Sequence, residues 1–282
     1  MRSSATALAD RRVLITGAAR GIGAALAQRL HECGARVALA GLEPKELEAV
    51  AAACGDATFS VCDVTERDEV ESAVEAAVTE LGGLDVIVAN AGVAAQLPLV
   101  GGNPEVMERT IAVNVMGVYN TLRAAGPHIS HDRGYALAVA SLAAAIHAPM
   151  LGAYSASKAA VEALGNTLRS ELWRTGAKVG VAYFAELDTD MTSRGFGTEA
   201  ASSIRALSLT RVAPLEVGID ALERGIARRS RRVYAPRWVG PLLPLRMAAQ
   251  PVVERATRRG LAKALEIARR EDAPLTTPQP RR

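Results

Sequence analysis

Tyr154 and Lys158 stand four residues apart in the run 154–158. On a helix this spacing places a phenol and an ammonium on one face, one turn apart. A phenol ordinarily titrates near pH ~10, too high for acid/base work at neutral pH, and a nearby cation lowers that pKa. The pair is therefore a candidate proton-transfer device, although Tyr-x-x-x-Lys also occurs on ordinary helices.

A glycine-rich turn lies near the N-terminus. The run 11–15 predicts a short buried strand, the turn 16–23 follows, and an alanine-rich helical stretch covers 24–33. Gly17 permits a tight turn, Gly21 lets the backbone approach a pyrophosphate at the helix N-terminus, and Gly23 allows close packing of helix on sheet. Strand, glycine turn and helix in this order predict a dinucleotide-binding loop.

Apolar runs alternate with helical patterns along the whole chain, and this alternation sets the fold class. The predicted strands are 13–16, 37–40, 58–61, 84–89, 136–140, 179–183 and 233–235. Helices fill the gaps, including one over 65–81 with Thr65 as its N-cap. The pattern predicts an α/β fold: a Rossmann-like, doubly wound parallel sheet of about seven strands flanked by helices, with ligands at the carboxyl ends of the strands.

The same pattern divides the chain into four parts. We expect a flexible N-terminus over 1–10 and a dinucleotide-binding catalytic domain over 11–235, with a substrate lid at about 186–210. A helical, basic C-terminal extension covers 236–272. The proline-rich, polar tail 273–282 is expected to be disordered.

Charge is unevenly placed, although the net charge is only +3. Residues 224–282 hold fifteen basic and four acidic side chains, so this segment carries +11 and the rest −8. A solvated helical tail or a subunit contact is the simpler interpretation, and contact with a membrane surface is the alternative. Because no nucleic-acid motif accompanies the charge, we expect no nucleic-acid partner.

Cysteine usage and hydropathy indicate the compartment. Three cysteines, Cys33, Cys54 and Cys62, predict neither a disulfide framework nor a metal site. Residues 1–10 show no apolar signal-peptide core, and no apolar run reaches the ~18 residues that span a membrane. The sequence therefore favours a cytoplasmic protein.

Taken together, the motifs resemble those of the short-chain dehydrogenase/reductase family. They are Thr-Gly-x-x-x-Gly-x-Gly at 16–23, then Asn90-Ala91-Gly92, Asn114, Ser141 thirteen residues before Tyr154, and Lys158. They occur in the family's order between residue 11 and about residue 192. The resemblance implies a Rossmann-like fold, an NAD or NADP cofactor, interconversion of a carbonyl and an alcohol by hydride transfer, and assembly as a homodimer or homotetramer.

The resemblance also assigns roles to individual residues. Tyr154 would be the acid/base, Ser141 would hold the substrate oxygen, and Lys158 would bind the nicotinamide ribose and lower the pKa of Tyr154. Asn114 would interrupt a helix and help to hold a water in a relay to the lysine; a purely structural kink is the alternative. The cofactor-binding residues would be Gly17, Arg20, Gly21, Ile22, Gly23, Gly41, Leu42, Asp63, Val64, Asn90, Ala91, Gly92 and Thr189, together with Tyr154 and Lys158.

Two places depart from the family pattern. Ala89 stands where many members carry a first asparagine before Asn90. Phe184 and Ala185 stand where Pro-Gly is usual after the sixth strand, although the threonine expected near the nicotinamide carboxamide is present as Thr189.

The end of the second strand bears on the choice between NAD and NADP. An acid at this place binds the ribose 2′-hydroxyl and repels a 2′-phosphate. Here Gly41 stands where NAD-preferring relatives carry Asp, and Leu42 where NADP-preferring relatives often carry Arg. Arg20 is placed to pair with a 2′-phosphate, and Glu43 to reach the ribose. The residues favour NADP and leave NAD open.

The segment 142–153, expected beside the substrate, contains no acid, lysine or arginine. It predicts a small substrate that is apolar near the reacting carbon. Two alternatives to an enzyme stay open. One is a catalytically weak dinucleotide-binding sensor or scaffold, because of Phe184 and Ala185. The other is a peripheral membrane-associated protein that uses the basic tail.

Overall fold

The computed structural model describes residues 6–189, 191, 198–204, 212–271 and 275–276, and within them seven strands form one parallel sheet. The strands are β1 Arg12–Thr16, β2 Arg36–Gly41, β3 Phe59–Val61, β4 Val86–Ala89, β5 Tyr135–Val139, β6 Lys178–Phe184 and β7 Arg232–Ala235. Their order across the sheet is β3-β2-β1-β4-β5-β6-β7, and every pair is parallel. The predicted Rossmann-like, doubly wound sheet is confirmed.

Helices cover both faces of this sheet. They are α1 Gly21–Glu32, α2 Pro44–Ala53, α3 Arg67–Leu81, α4 Pro104–Ile111, α5 Gly117–Ala125, α6 Gly152–Glu171, α7 Glu199–Ser202, α8 Leu215–Ala227, α9 Val239–Leu242, α10 Arg246–Thr257 and α11 Leu261–Glu271. A π-helical segment, Ala112–Met116, joins α4 to α5, and 3-10 turns occupy Leu142–Ala144 and Leu172–Thr175.

Alternate residues of each central strand enter opposite apolar layers, as the two-residue period of a strand requires. One layer packs Leu14 and Ile87 against Val74 of α3, Val118 of α5 and Val161 of α6. The other packs Val13 and Val88 against Leu26 of α1, Leu47 of α2 and Leu222 of α8. Because both faces are covered, the central strands read as continuous apolar runs.

The boundaries of two predicted elements are wrong by two residues. Strand β4 begins at Val86 rather than at residue 84, and the Asp85 carboxylate just before it accepts from the Arg12 side chain at 2.8 Å. Helix α3 begins at Arg67, with Glu66 rather than Thr65 as its N-cap residue. The Thr65 hydroxyl donates to Asp63 Oδ1 at 2.8 Å instead of capping the helix.

Both predicted terminal segments need correction where the structure describes them. Residues 6–8 form a helical turn rather than a flexible arm: Leu8 is fully buried, and the amide of Asp10 donates to Gly34 O at 2.9 Å. In the predicted disordered tail, Leu275 packs on the core and Thr276 is buried. Residues 1–5, 272–274 and 277–282 lie outside the described residues.

The C-terminal extension is helical, as predicted, but it is not a single helix. Gly260, at φ +85°, separates α10 from α11, because a left-handed residue ends the helical path. Val239 and Leu243 enter the same apolar layer as β4 and α5, so the start of the extension belongs to the main core. Within the described residues no helix combines the length and apolarity needed to cross a membrane.

Candidate active site

A cavity of about 420 Å³ lies at the carboxyl ends of β1, β2, β4 and β5. All seventeen residues predicted for the site fall within the described residues, and fifteen of them line this cavity. They are Gly17, Arg20, Gly21, Ile22, Gly41, Leu42, Asp63, Val64, Asn90, Ala91, Gly92, Ser141, Tyr154, Lys158 and Thr189. The other two, Gly23 and Asn114, are buried next to residues that line it.

The glycine turn is shaped by close backbone approaches. A Cβ on Gly17 would lie 2.7 Å from Ala91 Cα, and one on Gly23 would lie 2.2 Å from Gly17 O, so neither position has room for a side chain. Gly17 and Gly21 both have positive φ, +64° and +55°. Asn90 holds the turn to the end of β4, since its amide donates to Thr16 O at 3.0 Å and to Gly17 O at 3.1 Å.

Observations at the start of α1 fit a bound pyrophosphate. The N-cap residue, Arg20, makes no side-chain cap bond, and the first turn of α1 carries no acid. Its first amides are therefore available to an anion. A Cβ on Gly21 would have nothing within 4 Å, which leaves open space above the turn. The residues present thus fit the diphosphate of a dinucleotide.

An ion pair borders the cavity beside the end of β2. Arg20 Nη2 lies 2.6 Å from Glu43 Oε1, and both side chains line the cavity. Within the described part of the chain, Arg20 Nε is buried and has no hydrogen-bond partner. An unsatisfied buried donor is costly, so this nitrogen is suited to an acceptor on a ligand.

Asp63 is fixed by its own chain rather than left free for a ligand. Its carboxylate accepts from Arg109 Nη2 at 2.9 Å and from the amide and hydroxyl of Thr65. Burial alone would raise the pKa of Asp63, but these hydrogen bonds outweigh it and hold the pKa below its usual value. Sequence reasoning missed Arg109, because its partner lies 46 residues away and no motif joins them.

Ser141 and Tyr154 meet at the end of β5. Ser141 accepts from Ala143 N at 3.1 Å as the N-cap of a 3-10 turn, and donates to Phe184 O at 3.3 Å. Its hydroxyl also shares a hydrogen bond with the Tyr154 phenol. The predicted orienter and the predicted acid/base are therefore in direct contact.

Lys158 lies one helical turn beyond Tyr154 and is only 4% exposed. Its ammonium donates to Val139 O at 2.9 Å and lies 5.6 Å from the centre of the Tyr154 ring. Burial lowers the pKa of Lys158 to about 8. An ammonium in this position still carries a proton at neutral pH, and gives it up more readily than a lysine in water.

Burial also dominates the phenol. It raises the pKa of Tyr154, and the hydrogen bond with Ser141 acts in the opposite direction without overcoming it. The pKa of Tyr154 therefore lies above its ordinary value in this structure, although the Lys158 ammonium is only one helical turn away. The physical reason is that burial destabilises the phenolate by more than its hydrogen bond stabilises it.

Asn114 interrupts the helical run from α4 to α5, as the sequence predicts. It is fully buried within the π-helical Ala112–Met116. Its amide oxygen accepts from Val93 N at 2.8 Å, and its amide nitrogen donates to Val93 O and Ser157 Oγ, both at 2.9 Å. A Cβ on Gly92 would lie 3.3 Å from both Asn114 Oδ1 and Lys158 Nζ, so these two groups are neighbours across that glycine.

The departure at Phe184 and Ala185 is accommodated by the β6–β7 edge. Phe184 ends β6 with its side chain buried, and the amide of Ala185 donates to Ala235 O at 3.0 Å. Beyond them Leu187 forms a parallel bridge with Ala213. Thr189 still lines the cavity, so the loop returns its threonine to the site without the Pro-Gly pair.

Five cavity-lining residues outside the predicted set of site residues lie in the C-terminal extension and in the tail: Trp238, Val253, Ala256, Thr257 and Thr276. A position at the rim of the substrate site was one of several that the sequence left open for the extension, because a helical pattern does not say where a helix docks. Within the predicted lid, 186–210, residues 190, 192–197 and 205–210 lie outside the described residues. Among the described residues, no group of three or more His, Cys, Asp or Glu side chains could hold a metal ion.

Comparison with known proteins identifies the family. The family model for short chain dehydrogenase matches residues 11–200. The chain therefore belongs to the short-chain dehydrogenase/reductase family, and it is an oxidoreductase of the class that acts on CH–OH or C=O groups. The family uses NAD(P).

Individual relatives agree with this assignment. An uncharacterized oxidoreductase of Staphylococcus aureus (strain MW2) is 34% identical over 191 residues, which are 67% of this chain and 83% of that protein. Glycine betaine reductase ATRR of Emericella nidulans is 35% identical over 198 residues, 68% of this chain but 16% of that protein.

Solved structures show the same fold. A dehydrogenase/reductase from Sinorhizobium meliloti 1021 superposes with a TM-score of 0.73 at 26% sequence identity. The superposition covers 83% of this chain and 98% of that structure's chain. A short-chain type dehydrogenase/reductase from Mycobacterium marinum gives 0.72 at 28% identity, covering 80% and 93%.

The buried lysine predicts a pH-dependent stability. Because the folded pKa of Lys158, about 8, is below its ordinary 10.5, the folded protein releases this proton first as pH rises. Relative to Lys158→Met, the wild type should therefore gain unfolding free energy from about pH 8 upward to pH ~10.5, by up to about 1.4 kcal/mol per pH unit. Below pH 8 this gain should be absent.

Denaturant unfolding of both proteins at several pH values measures this difference. Lys45→Met, at an exposed position, is the matched control. If the difference between wild type and Lys158→Met stays flat above pH 8, the ammonium does not experience the burial described above.

Proposed function

We propose that this protein is an NAD(P)-dependent oxidoreductase that interconverts a carbonyl and an alcohol on a small apolar substrate, with Tyr154 as the acid/base. The observation that carries the proposal is the contact of Tyr154 with Ser141 beside the buried Lys158, in the cavity whose other side is the glycine turn. Proton donor, substrate-oxygen ligand and dinucleotide cradle share one enclosed space, as hydride chemistry requires.

Each residue has a defined task in this proposal. A bound nicotinamide supplies the hydride in reduction and accepts it in oxidation. Ser141 donates to the substrate oxygen and holds it near the phenol. Tyr154 gives its proton to that oxygen in reduction and takes it back in oxidation. Lys158 favours the phenolate that remains, through its positive charge, and binds the nicotinamide ribose.

NADP is the cofactor we propose, with NAD as the alternative. The Arg20 side chain reaches from the glycine turn to Glu43 and has an unsatisfied Nε, and Gly41 offers no carboxylate against a 2′-phosphate. Glu43 works against this preference, because its carboxylate already pairs with Arg20. Cytoplasmic location and assembly as a homodimer or homotetramer stay predictions.

The cavity has an apolar wall beyond the glycine turn, and this wall supports an apolar substrate. Leu142, Ile146, Leu151 and Leu187 line it, with Trp238 and Val253 from the extension. Such a surface favours a ketone, an aldehyde or a secondary alcohol with an apolar substituent.

Tyr154→Phe should keep cofactor affinity and lose turnover. The substitution removes only the phenol oxygen, so the cavity keeps its shape while the proton donor is lost. We expect kcat to fall by roughly 100-fold or more on a panel of ketones and aldehydes. Titration by nicotinamide fluorescence should give unchanged affinity for NADPH.

Tyr119→Phe, at an exposed position on α5, is the matched control and should behave as wild type. Retained turnover in Tyr154→Phe would refute the acid/base role. Cofactor binding without turnover by the wild type on the whole panel would favour the sensor or scaffold.

Glu43→Gln should shift cofactor preference toward NADPH. The change removes a negative charge beside the proposed 2′-phosphate site and releases Arg20 to bind that group. We expect the ratio of the NADH to NADPH dissociation constants to rise by about tenfold, equivalent to about 1.4 kcal/mol. Fluorescence titration with each cofactor measures it.

Glu48→Gln, on the exposed side of α2, is the control for a general charge effect. An unchanged ratio, or one that moves toward NADH, would show that the Arg20–Glu43 pair does not border the 2′ position. Wild-type protein that binds NADH more tightly than NADPH would overturn the proposed preference itself.

A further inference from the structure

The family match ends at residue 200, and the C-terminal extension lies beyond it. The extension contacts the segment after β4, where Arg269 Nε donates to Val100 O at 3.2 Å, as well as the 142–153 loop and α7. These segments border the substrate side of the cavity, as Val93, Ile146 and Leu151 among its lining residues show.

Helix α10 forms part of the cavity wall and is fastened at its start and its middle. Arg246 makes two bonds to Glu162 of α6, at 3.1 and 3.2 Å. Gln250 accepts from His147 N at 2.9 Å and donates to His147 O at 3.1 Å. One and two turns further on, Val253 and Thr257 line the cavity, and the Thr257 hydroxyl donates to Val253 O.

Helix α11 is joined to α7 by a small apolar core of its own. Met150, Ala200, Ile204, Ala264 and Ala268 form this cluster. A Cβ on Gly260, just before α11, would lie 2.2 Å from Ser203 O, so the two segments are in backbone contact. Helix α11 and α7 therefore pack as one unit.

Glu271 adds a polar tie between the same two helices. Its carboxylate accepts from the amides of Glu199 at 3.1 Å and Ala200 at 3.4 Å, which are the first two residues of α7. Acids are favourable at a helix N-terminus, because its amides lack partners.

Thr276 fastens the end of the described chain beside β4. Its amide donates to Ala94 O at 2.9 Å, and its hydroxyl accepts from Ala94 N at 3.0 Å. Thr276 is 4% exposed and lines the cavity, and Leu275 packs on the main core. Both backbone groups of Ala94 are thus satisfied by one residue more than 180 positions away.

We propose that the C-terminal extension is the distal wall of the substrate cavity, that Val253 limits the size of the apolar group the cavity accepts, and that the Thr276–Ala94 pair latches the wall shut. The proposal rests on the proposed function, since it concerns the same cavity. The ligand class is a neutral molecule with an apolar chain or ring beyond the reacting carbon.

Adjacent valines on α10 provide a matched test of the wall. Val253 lines the cavity, while Val252 is 67% exposed and lies outside it. We would compare Val253→Trp and Val252→Trp by Nile red fluorescence and by turnover of straight-chain methyl ketones of increasing length with NADPH. Val253→Trp should weaken Nile red binding by about tenfold or more and shift turnover to shorter ketones, whereas Val252→Trp should match wild type.

Equal effects of the two substitutions on Nile red binding and on ketone length would refute the proposal that Val253 forms part of the cavity wall. If no ketone is turned over by any variant, the proposed function fails, while the Nile red comparison still decides whether Val253 borders a ligand cavity.

Thr276 provides the test of the latch. Thr276→Val removes the acceptor for Ala94 N and keeps the shape, whereas Thr276→Ser keeps the hydroxyl. Amide hydrogen exchange over residues 246–271 should become about tenfold faster in the valine variant, the scale for one lost buried hydrogen bond, and stay as in wild type in the serine variant.

Exchange over 246–271 that is equally slow in Thr276→Val and in wild type would refute the latch. Faster exchange across the central strands as well would mean that Thr276 supports the whole fold, and would also refute it. Circular dichroism of each variant confirms that the fold is intact.

Discussion

The connections that leave β1 and β4 pass to opposite faces of the sheet, and the site depends on this reversal. Helix α1, after β1, packs in one apolar layer, while α5, on the path from β4 to β5, packs in the other. Adjacent strands whose connections diverge leave a crevice at their carboxyl ends that no crossover covers. The cavity-lining groups described above lie around this crevice.

At the glycine turn, the backbone on the two sides of this crevice approaches closely. Gly17 contacts the backbone of Ala91 from across the gap, while Asn90 bonds to the carbonyls of Thr16 and Gly17. The glycines permit this approach and the asparagine stabilises it. The Thr16 hydroxyl adds to this connection, since it accepts from Asn90 N at 3.2 Å.

Sequence reasoning succeeded where the physical signal is local. The central strands were predictable because burial on both faces leaves them continuously apolar, and the glycine turn because positive φ and close approach demand glycine. The predicted N-cap at Thr65 was wrong because its hydroxyl could either cap the helix or bind a neighbouring side chain, and it donates to Asp63. Local rules cannot decide such a competition.

Long-range partners lay beyond the reach of the sequence. Arg109 meets Asp63 across 46 residues, and Thr276 meets Ala94 from a segment whose composition predicts disorder. A threonine between prolines and polar residues looks the same whether it is solvated or paired with a buried amide. Only the docking of α10 and α11, which brings the chain end back to β4, distinguishes the two cases.

The shifted pKa values of Tyr154 and Lys158 both follow from the burial of the two side chains. Excluding water raises the pKa of a phenol and lowers that of an ammonium, since both charged forms lose solvation. Tyr154 and Lys158 show these two directions. The extension contributes to this exclusion, because its side chains occupy cavity wall that water would otherwise reach. With the wall in place the phenol keeps its proton, which is the form that reduction of a carbonyl consumes. Oxidation of an alcohol needs the phenolate, so it depends more strongly on the positive charge that Lys158 retains below its lowered pKa.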